Sequence, residues 1–368
     1  MKKTGIFGGT FNPPHREHIE ICRAAMAELG LERIVILPTS IPPHKKVWES
    51  EEARRIMTEL TFDEDGFIID LYEQENPGVH YSVDTLRVMR QRYGDVTFII
   101  GGDSAIDFFK WRQPEAILQE NEIAVCGRFG REAELFKAVD ALRAKGGRVN
   151  VLSYVGGNVS STLVRYVAAL RADLKKYVTD DVANYITQNG LYRDYDELLS
   201  KVRERVNKER YAHTVRTAVK ALELNGQLGL DPQKVFLSAV LHDVGKNEKR
   251  IGVPSDAVDG PVAHQFSGAM IAETEFGVTD EDVLGAIACH TTGKPDMTTL
   301  DKLIFVADLV EDGRDYAEVE ELRRAVNADF DSGFRLIIER DYAHLKAVGR
   351  PIYHLTEKAY EFYKNKER

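Results

Sequence analysis

Near the start of the chain, Gly8-Gly9-Thr10-Phe11-Asn12-Pro13-Pro14-His15-Arg16-Glu17-His18 gathers two glycines, two prolines and two imidazoles. Glycines at the end of a short apolar run let backbone N–H groups approach phosphate oxygens. A helix starting after Pro14 would add the positive end of its dipole. His15 and His18 are three apart at that helix start, so both rings face one side. The pattern predicts a triphosphate-binding turn. It is no Walker loop, because no Gly-Lys-Ser/Thr is present, and no Gly-x-Gly-x-x-Gly follows a strand. A plain glycine turn followed by surface histidines would explain Gly8-Gly9 but not the whole run.

A second set of chemical residues lies in the other half: His213, the pair His242-Asp243, His264, His290 and Asp308. His242-Asp243 ends the apolar run Val235–Leu241, His290 closes Ile287-Ala288-Cys289, and Asp308 interrupts Leu303–Ala307. Imidazoles and carboxylates at the inner ends of apolar helices are costly to bury unless something pairs with them. A metal cation would supply that partner. This donor set suits iron, manganese or zinc, and a shared Asp can bridge two ions. One such histidine would more often be a satisfied core residue; five sites in helical contexts fit that explanation poorly.

Two kinds of element must position these groups. Up to about Leu191, short β-rich runs (Gly5–Phe7, Ile34–Leu37, Phe67–Ile69, Val96–Ile100, Ile123–Cys126, Val149–Leu152) alternate with amphipathic stretches such as Ile19–Leu29. That alternation predicts βαβ units and a mainly parallel sheet, an α/β class fold. From Tyr195 onward Val202–Leu224, Gln233–Val244, Asp280–Cys289 and Leu300–Val310 carry apolar residues at helical spacing, predicting an all-α second half. The boundary is expected within Gly190–Asp196, giving domains 1–192 and 195–368. The tail from Lys358 reads as a helix end or a frayed terminus.

Bulk properties agree with two soluble domains. The chain has 368 residues, 43% hydrophobic and 29% charged, which is long for one core. A formal charge of −10 argues against a general nucleic-acid binder. Cys22, Cys126 and Cys289 are too few and too far apart for a disulfide framework. No run reaches membrane-spanning length, and Gly8-Gly9 interrupts the opening too early for a signal peptide. The expected compartment is the cytoplasm, with no membrane partner. The oligomeric state stays open, a homo-oligomer included.

Further runs carry a resemblance. Gly8–His18 is similar to the T/HxGH-type motif of the nucleotidyltransferase superfamily. Pro42-Pro43-His44-Lys45, Tyr81–Leu86, Ile100-Gly101-Gly102-Asp103, Trp111 and Ser160–Arg165 follow in the order of bacterial nicotinate-nucleotide adenylyltransferases. Val159 stands where that family usually has Ile, and the Arg128-Phe129-Gly130 turn lacks its usual Pro. The resemblance implies a Rossmann-like nucleotidyltransferase domain joining ATP, with Mg2+, to nicotinate mononucleotide. It implies that Gly8, Gly9, Thr10 and Phe11 contact ATP and that His15 and His18 stabilise charge at the α-phosphate. Lys45, Ser161 and Arg165 would hold phosphates, with Gly101 and Asp103 at the adenosine. Trp111 would stack on the pyridine ring, and backbone near Thr85 would read the nicotinate carboxylate. Taken singly, Lys45 and Arg165 could be solvated charges, Trp111 core, and Ser160–Thr162 an N-cap. Ser82–Thr85 precedes a helical stretch, and its exposed N–H groups would favour the acid over the amide.

The second half resembles the HD phosphohydrolase superfamily, named for a His-Asp pair, here His242-Asp243. Leu241–Lys246, His264–Ala269, His290–Gly293 and Ala307–Arg314 bring it closer to bacterial HD-domain diadenosine tetraphosphatases. That likeness implies one or two transition-metal ions held by His213, His242, Asp243, His264, His290 and Asp308. Asp243 and Lys246 would act in catalysis, and Lys246 and Arg314 are candidate phosphate ligands, with solvated surface charges as the alternative. The implied reaction cleaves diadenosine tetraphosphate into two ADP. Another nucleotide substrate, or a non-catalytic nucleotide sensor, remains the alternative for this half. His80, His344 and His354 have no motif context.

Overall fold

The computed structural model describes residues 3–40, 48–76, 78–128, 132–248, 251–257, 260–349 and 351–364. It divides into two compact units, Met1–Tyr192 and Arg193–Arg368.

All six β-rich runs of the first unit are strands: β1 Thr4–Gly9, β2 Arg33–Pro38, β3 Phe67–Ile69, β4 Val96–Gly101, β5 Glu122–Arg128 and β6 Arg148–Gly156. They form one parallel sheet in the order β3-β2-β1-β4-β5-β6. Parallel strands need crossovers, and the helices that supply them cover both faces. Alternation along the strands separates two cores. Ile6, Val35, Phe98 and Ile100 pack on one face, and Phe7, Ile34, Ile36 and Ile99 on the other.

The strand order reverses between β1 and β4. The chain leaving β1 turns toward β2, and the chain leaving β4 turns toward β5, so a crevice opens beyond their adjoining carboxyl ends. The two strands end at Gly9 and Gly101, the glycines singled out from the sequence. Gly9 has a steric reason: a Cβ there would lie 2.9 Å from the Phe11 ring. The helix Arg16–Leu29 follows, with His15 as its N-cap and Gly30 closing it at φ 62°.

The second unit is helical, and no helix among the described residues is long and apolar enough to cross a membrane. The single helix expected over Val202–Leu224 is two helices, Asp196–Arg205 and Lys208–Leu228. Val206 is extended, and the Asn207 side chain caps the second helix by accepting from the Arg210 amide at 2.8 Å. A good N-cap residue inside an apolar helical pattern therefore restarts the helix. Pro232–Leu241, Ala263–Thr274, Glu281–Cys289 and Thr299–Val310 complete the set that carries the metal-type residues. Close approach is built in at Gly245, where a Cβ would lie 2.4 Å from the Gly268 amide and 2.5 Å from the His264 carbonyl. The final helix is His354–Lys364.

Candidate functional sites

A cleft of about 640 Å³ lies at the switch point of the sheet. Gly8, Gly9, Thr10, Phe11, His15, His18, Gly101, Asp103, Ser161 and Arg165, all named from the sequence, line it together. Thr85 and Trp111 do not line this cleft, and Lys45 lies outside the described residues. Trp111 stacks on Phe108, with centroids 5.1 Å apart and planes 28° apart.

His15 and His18 do face each other. Their rings stack with centroids 3.7 Å apart, and Nδ1 of His18 accepts the His15 backbone N–H at 3.0 Å. Burial among Phe7 and Phe11 lowers His18 to about 4. The ring is therefore neutral at pH 7.

Ser161 and Arg165, expected on phosphates, are engaged with the glycine-rich turn itself. The Ser161 hydroxyl donates to the Pro13 carbonyl at 2.8 Å, and Arg165 donates to the Asn12 carbonyl at 2.7 Å. Both belong to, or flank, the helix Ser161–Ala169, whose N-cap Ser160 accepts from the Leu163 amide.

The pyridine-side expectation needs a correction. Ser82–Thr85 does not precede a helix; it is the first turn of Ser82–Tyr93. The amides of Asp84 and Thr85 are already used by the Tyr81 carbonyl at 2.9 and 3.1 Å. In a first turn it is the earliest N–H groups, here Ser82 and Val83, that lack a place in the helical ladder. Thr85 is buried, and its hydroxyl donates to the buried Glu73 carboxylate at 2.7 Å.

Two features of the cleft escaped the sequence reading. The T/HxGH motif writes glycine at its third position, where this chain has Glu17. Glu17 lines the cleft, accepts from the Tyr154 hydroxyl at 2.5 Å, and fills space left open at Gly157. Beneath the turn, Arg54 and Tyr192 are fully buried and donate to it. Neither stands in a motif; only an arginine within an otherwise amphipathic helix could have drawn notice.

In the second unit four helices and the turn after Leu241 bring the six metal-type residues to one place. Nδ1 of His242, His264 and His290 lies 2.7, 2.9 and 2.8 Å from the carbonyls of Ala239, Pro261 and Ile287, each three residues earlier. Donation to those carbonyls leaves the Nε2 lone pairs pointing inward. Nε2 of His213 lies 3.3 Å from Nε2 of His242, and Nε2 of His264 lies 3.2 Å from Nε2 of His290. Facing lone pairs repel unless a proton or cation sits between them. Two nitrogens each about 2.1 Å from one ion, at roughly 90–110°, would be about 3.0–3.4 Å apart.

Asp243 serves both pairs. One oxygen lies 3.5 and 3.8 Å from Nε2 of His242 and His213; the other lies 3.4 and 3.7 Å from His264 and His290. Asp308 adds a carboxylate oxygen 3.0 Å from Nε2 of His213. His213, His242 and Asp308 form one group able to hold a metal, and His242, Asp243 and His290 a second. Burial would raise the Asp243 carboxyl, but His242 and His290 outweigh it and hold it far below the usual range. Burial likewise would raise Asp308, yet His213, His242 and Arg314 keep it ionised. His264 falls to about 3 through burial and the neighbouring His290 and Lys246. His213 goes the other way: burial would lower it, but Asp308 and Glu311 raise it, so a cation bound there would take the place of its proton. Inward-facing Nε2 atoms beside ionised carboxylates are a donor set that fits a divalent metal.

Cations ring this centre. Lys246 Nζ lies 3.2 Å from Nε2 of His264, Arg314 pairs with Asp308, and Arg210 donates to Asp243 at 2.8 Å. Arg210 and Glu311 went unassigned in the sequence, though each stands three residues from a named ligand, His213 and Asp308. Glu311 is buried and lies 3.1 Å from Nδ1 of His213 while accepting from Arg216 at 2.5 Å.

Comparison with known proteins finds a nucleotidyltransferase-type first half and an HD domain in the second. A cytidylyltransferase-like family model matches residues 6–167, and an HD-domain model matches 210–312. The probable nicotinate-nucleotide adenylyltransferase of Neisseria meningitidis serogroup A is 35% identical over 202 residues, 52% of this chain and 99% of that protein. The one from Geobacter sulfurreducens is 35% identical over 212 residues, 52% and 98% of the two chains. Among solved structures, a predicted HD superfamily hydrolase involved in NAD metabolism from Clostridium acetobutylicum is 25% identical. It covers 47% of this chain and 98% of its own, with a TM-score of 0.43. With nearly the full length of its relatives matched at this identity, the chain belongs through its first half to the nicotinate-nucleotide adenylyltransferase family, and its second half is an HD domain.

Proposed function

We propose that the first unit transfers AMP from ATP to nicotinate mononucleotide, giving deamido-NAD and pyrophosphate. The observation that carries this reading is the convergence of Gly8–Phe11, His15, His18, Asp103, Ser161 and Arg165 on one cleft at the switch point. Such a transfer needs no covalent nucleophile, since orientation and electrostatic stabilisation supply most of the acceleration. Backbone N–H groups of the turn and the positive end of the Arg16–Leu29 helix would cradle the triphosphate, which brings Mg2+ with it. His18, neutral with its proton on Nε2, would donate to an α-phosphate oxygen as charge builds there. Lys45 is assigned a phosphate on the resemblance alone, as are Trp111 the pyridine ring and the turn at Thr85 its carboxylate.

For the second unit we propose hydrolysis of diadenosine tetraphosphate to two ADP, resting on its likeness to HD-domain tetraphosphatases. His213, His242, Asp243, His264, His290 and Asp308 would hold one or two ions of iron, manganese or zinc. A bound metal lowers the pKa of water and neutralises charge on phosphate oxygens. The chain's own part is to hold the ligands deprotonated and oriented, and to present Lys246, Arg314 and Arg210 to a polyphosphate.

The test incubates the full chain with ATP, Mg2+ and nicotinate mononucleotide, and separately with diadenosine tetraphosphate and each metal. Deamido-NAD with equimolar pyrophosphate, and two ADP per dinucleotide, are expected. No turnover of the dinucleotide with any metal, alongside cleavage of another nucleotide, would replace the second substrate. Nucleotide binding with no cleavage would make the HD half a sensor.

A further inference from the structure

The turn that lines the nucleotide cleft contains a strained residue. Phe11 has φ 46°, in the left-handed region that bulky side chains rarely adopt. Such a conformation persists only where its surroundings over-determine it. The surroundings here are two buried donors from distant elements, one on each side of Phe11. Arg54, on the helix Glu51–Thr61, is 1% exposed and donates to the Thr10 carbonyl at 3.0 Å. The same guanidinium donates to the carbonyls of Thr39 at 2.7 Å and Ser40 at 2.6 Å. Among the described residues no carboxylate pairs with it within 4 Å. A buried guanidinium whose hydrogen bonds go to three carbonyls positions backbone.

Tyr192 grips the other side. It is also 1% exposed, and its hydroxyl donates to Oδ1 of the buried Asn12 at 2.8 Å. Tyr192 is itself left-handed at φ 61°, and its amide is held by the Glu49 carboxylate at 2.7 Å. Two strained residues far apart in sequence are thus tied to each other through Asn12.

We propose that Arg54 and Tyr192 are positioning residues that hold the Thr10–Asn12 segment in its nucleotide-receiving conformation, without touching the nucleotide. The inference rests on the reading of this cleft as an ATP site. Loosening the segment lowers the fraction of molecules ready to bind, and apparent affinity falls by that fraction.

The experiment measures ATP binding to the full chain by calorimetry, with thermal unfolding and steady-state kinetics alongside, for Tyr192→Phe, Arg54→Lys, Asn12→Ala and the Tyr192→Phe/Asn12→Ala double variant. Tyr192→Phe keeps the ring and removes one hydrogen bond to a buried acceptor, so Kd and KM for ATP should rise about tenfold. KM for the pyridine substrate should stay unchanged, and Arg54→Lys should act in the same direction. The double variant should bind ATP no more weakly than Asn12→Ala alone, because both changes break one contact. An unchanged Kd in folded Tyr192→Phe and Arg54→Lys would overturn the proposal, and a lowered melting temperature with unchanged Kd would reduce both residues to structural ones. Should one variant fail to fold, the other decides. If the unaltered chain binds no ATP, the reading of the cleft itself fails; if it binds and the variants match it, only the positioning role fails.

Discussion

Nδ1 of His18 accepts the backbone N–H of His15 at 3.0 Å while the two rings stack 3.7 Å apart. An imidazole that accepts at Nδ1 keeps its neutral-state proton on Nε2, so the bond selects the tautomer. The first donor of the helix thereby equips the cleft with an uncharged N–H.

The pH behaviour of His18 follows from that environment. Its pKa is lowered to about 4, while an unfolded histidine titrates near 6.5. Between those values the unfolded chain binds the extra proton, so stability is full above about 6.5 and falls as pH drops toward 4. The loss amounts to about 3 kcal/mol at most. Titration of the His18 ring by NMR should give a midpoint near 4, and His18→Gln should flatten this part of the stability profile. A midpoint near 6.5 would contradict the assignment.

Asp243→Asn should abolish dinucleotide hydrolysis and leave adenylyl transfer within about twofold, because the two reactions draw on different residues. Asp243 faces four histidine nitrogens with its two oxygens. An amide offers one neutral acceptor in place of a shared carboxylate, so metal retained after desalting, read by mass spectrometry, should fall as well.

Glu311→Gln should weaken metal binding by about 10–100-fold, as found when the carboxylate behind a ligating histidine is removed. Glu311 backs Nδ1 of His213, whereas His242, His264 and His290 are backed by carbonyls. Calorimetric titration with Mn2+ reads the effect independently of turnover.

The acid form of the pyridine substrate should be preferred. The Ser82 and Val83 amides head the helix Ser82–Tyr93 with no place in its ladder, and a carboxylate gains more from such donors than a neutral amide does. kcat/KM for nicotinate mononucleotide should exceed that for the nicotinamide form by at least about tenfold. Equal values would remove the basis for assigning the acid.

Much of this was legible along the chain. The inner strands declared themselves as short apolar runs, because a strand buried on both faces must be apolar; the edge strand β6, with Asn150 and Ser153, was legible from its flanking Val and Leu. His15 and His18 stand close enough in sequence for the geometry of a helix start alone to bring them together. The break at Val206-Asn207 was hidden because apolar spacing continues across it, and only the cap interaction of Asn207 with the Arg210 amide reveals it.

What the tertiary structure decided concerns residues that meet through space. Nothing in the sequence places Arg54 beneath Thr10, Tyr192 against Asn12, or the two oxygens of Asp243 between two histidine pairs from four helices. Nor could it tell that the Thr85 amide is already spent on Tyr81, or that Ser161 and Arg165 donate to the turn. Periodicity records which side of an element faces the core, because burial acts on every residue of that face alike. Which donor meets which acceptor depends on packing between elements remote in the chain, and only the folded arrangement holds that information.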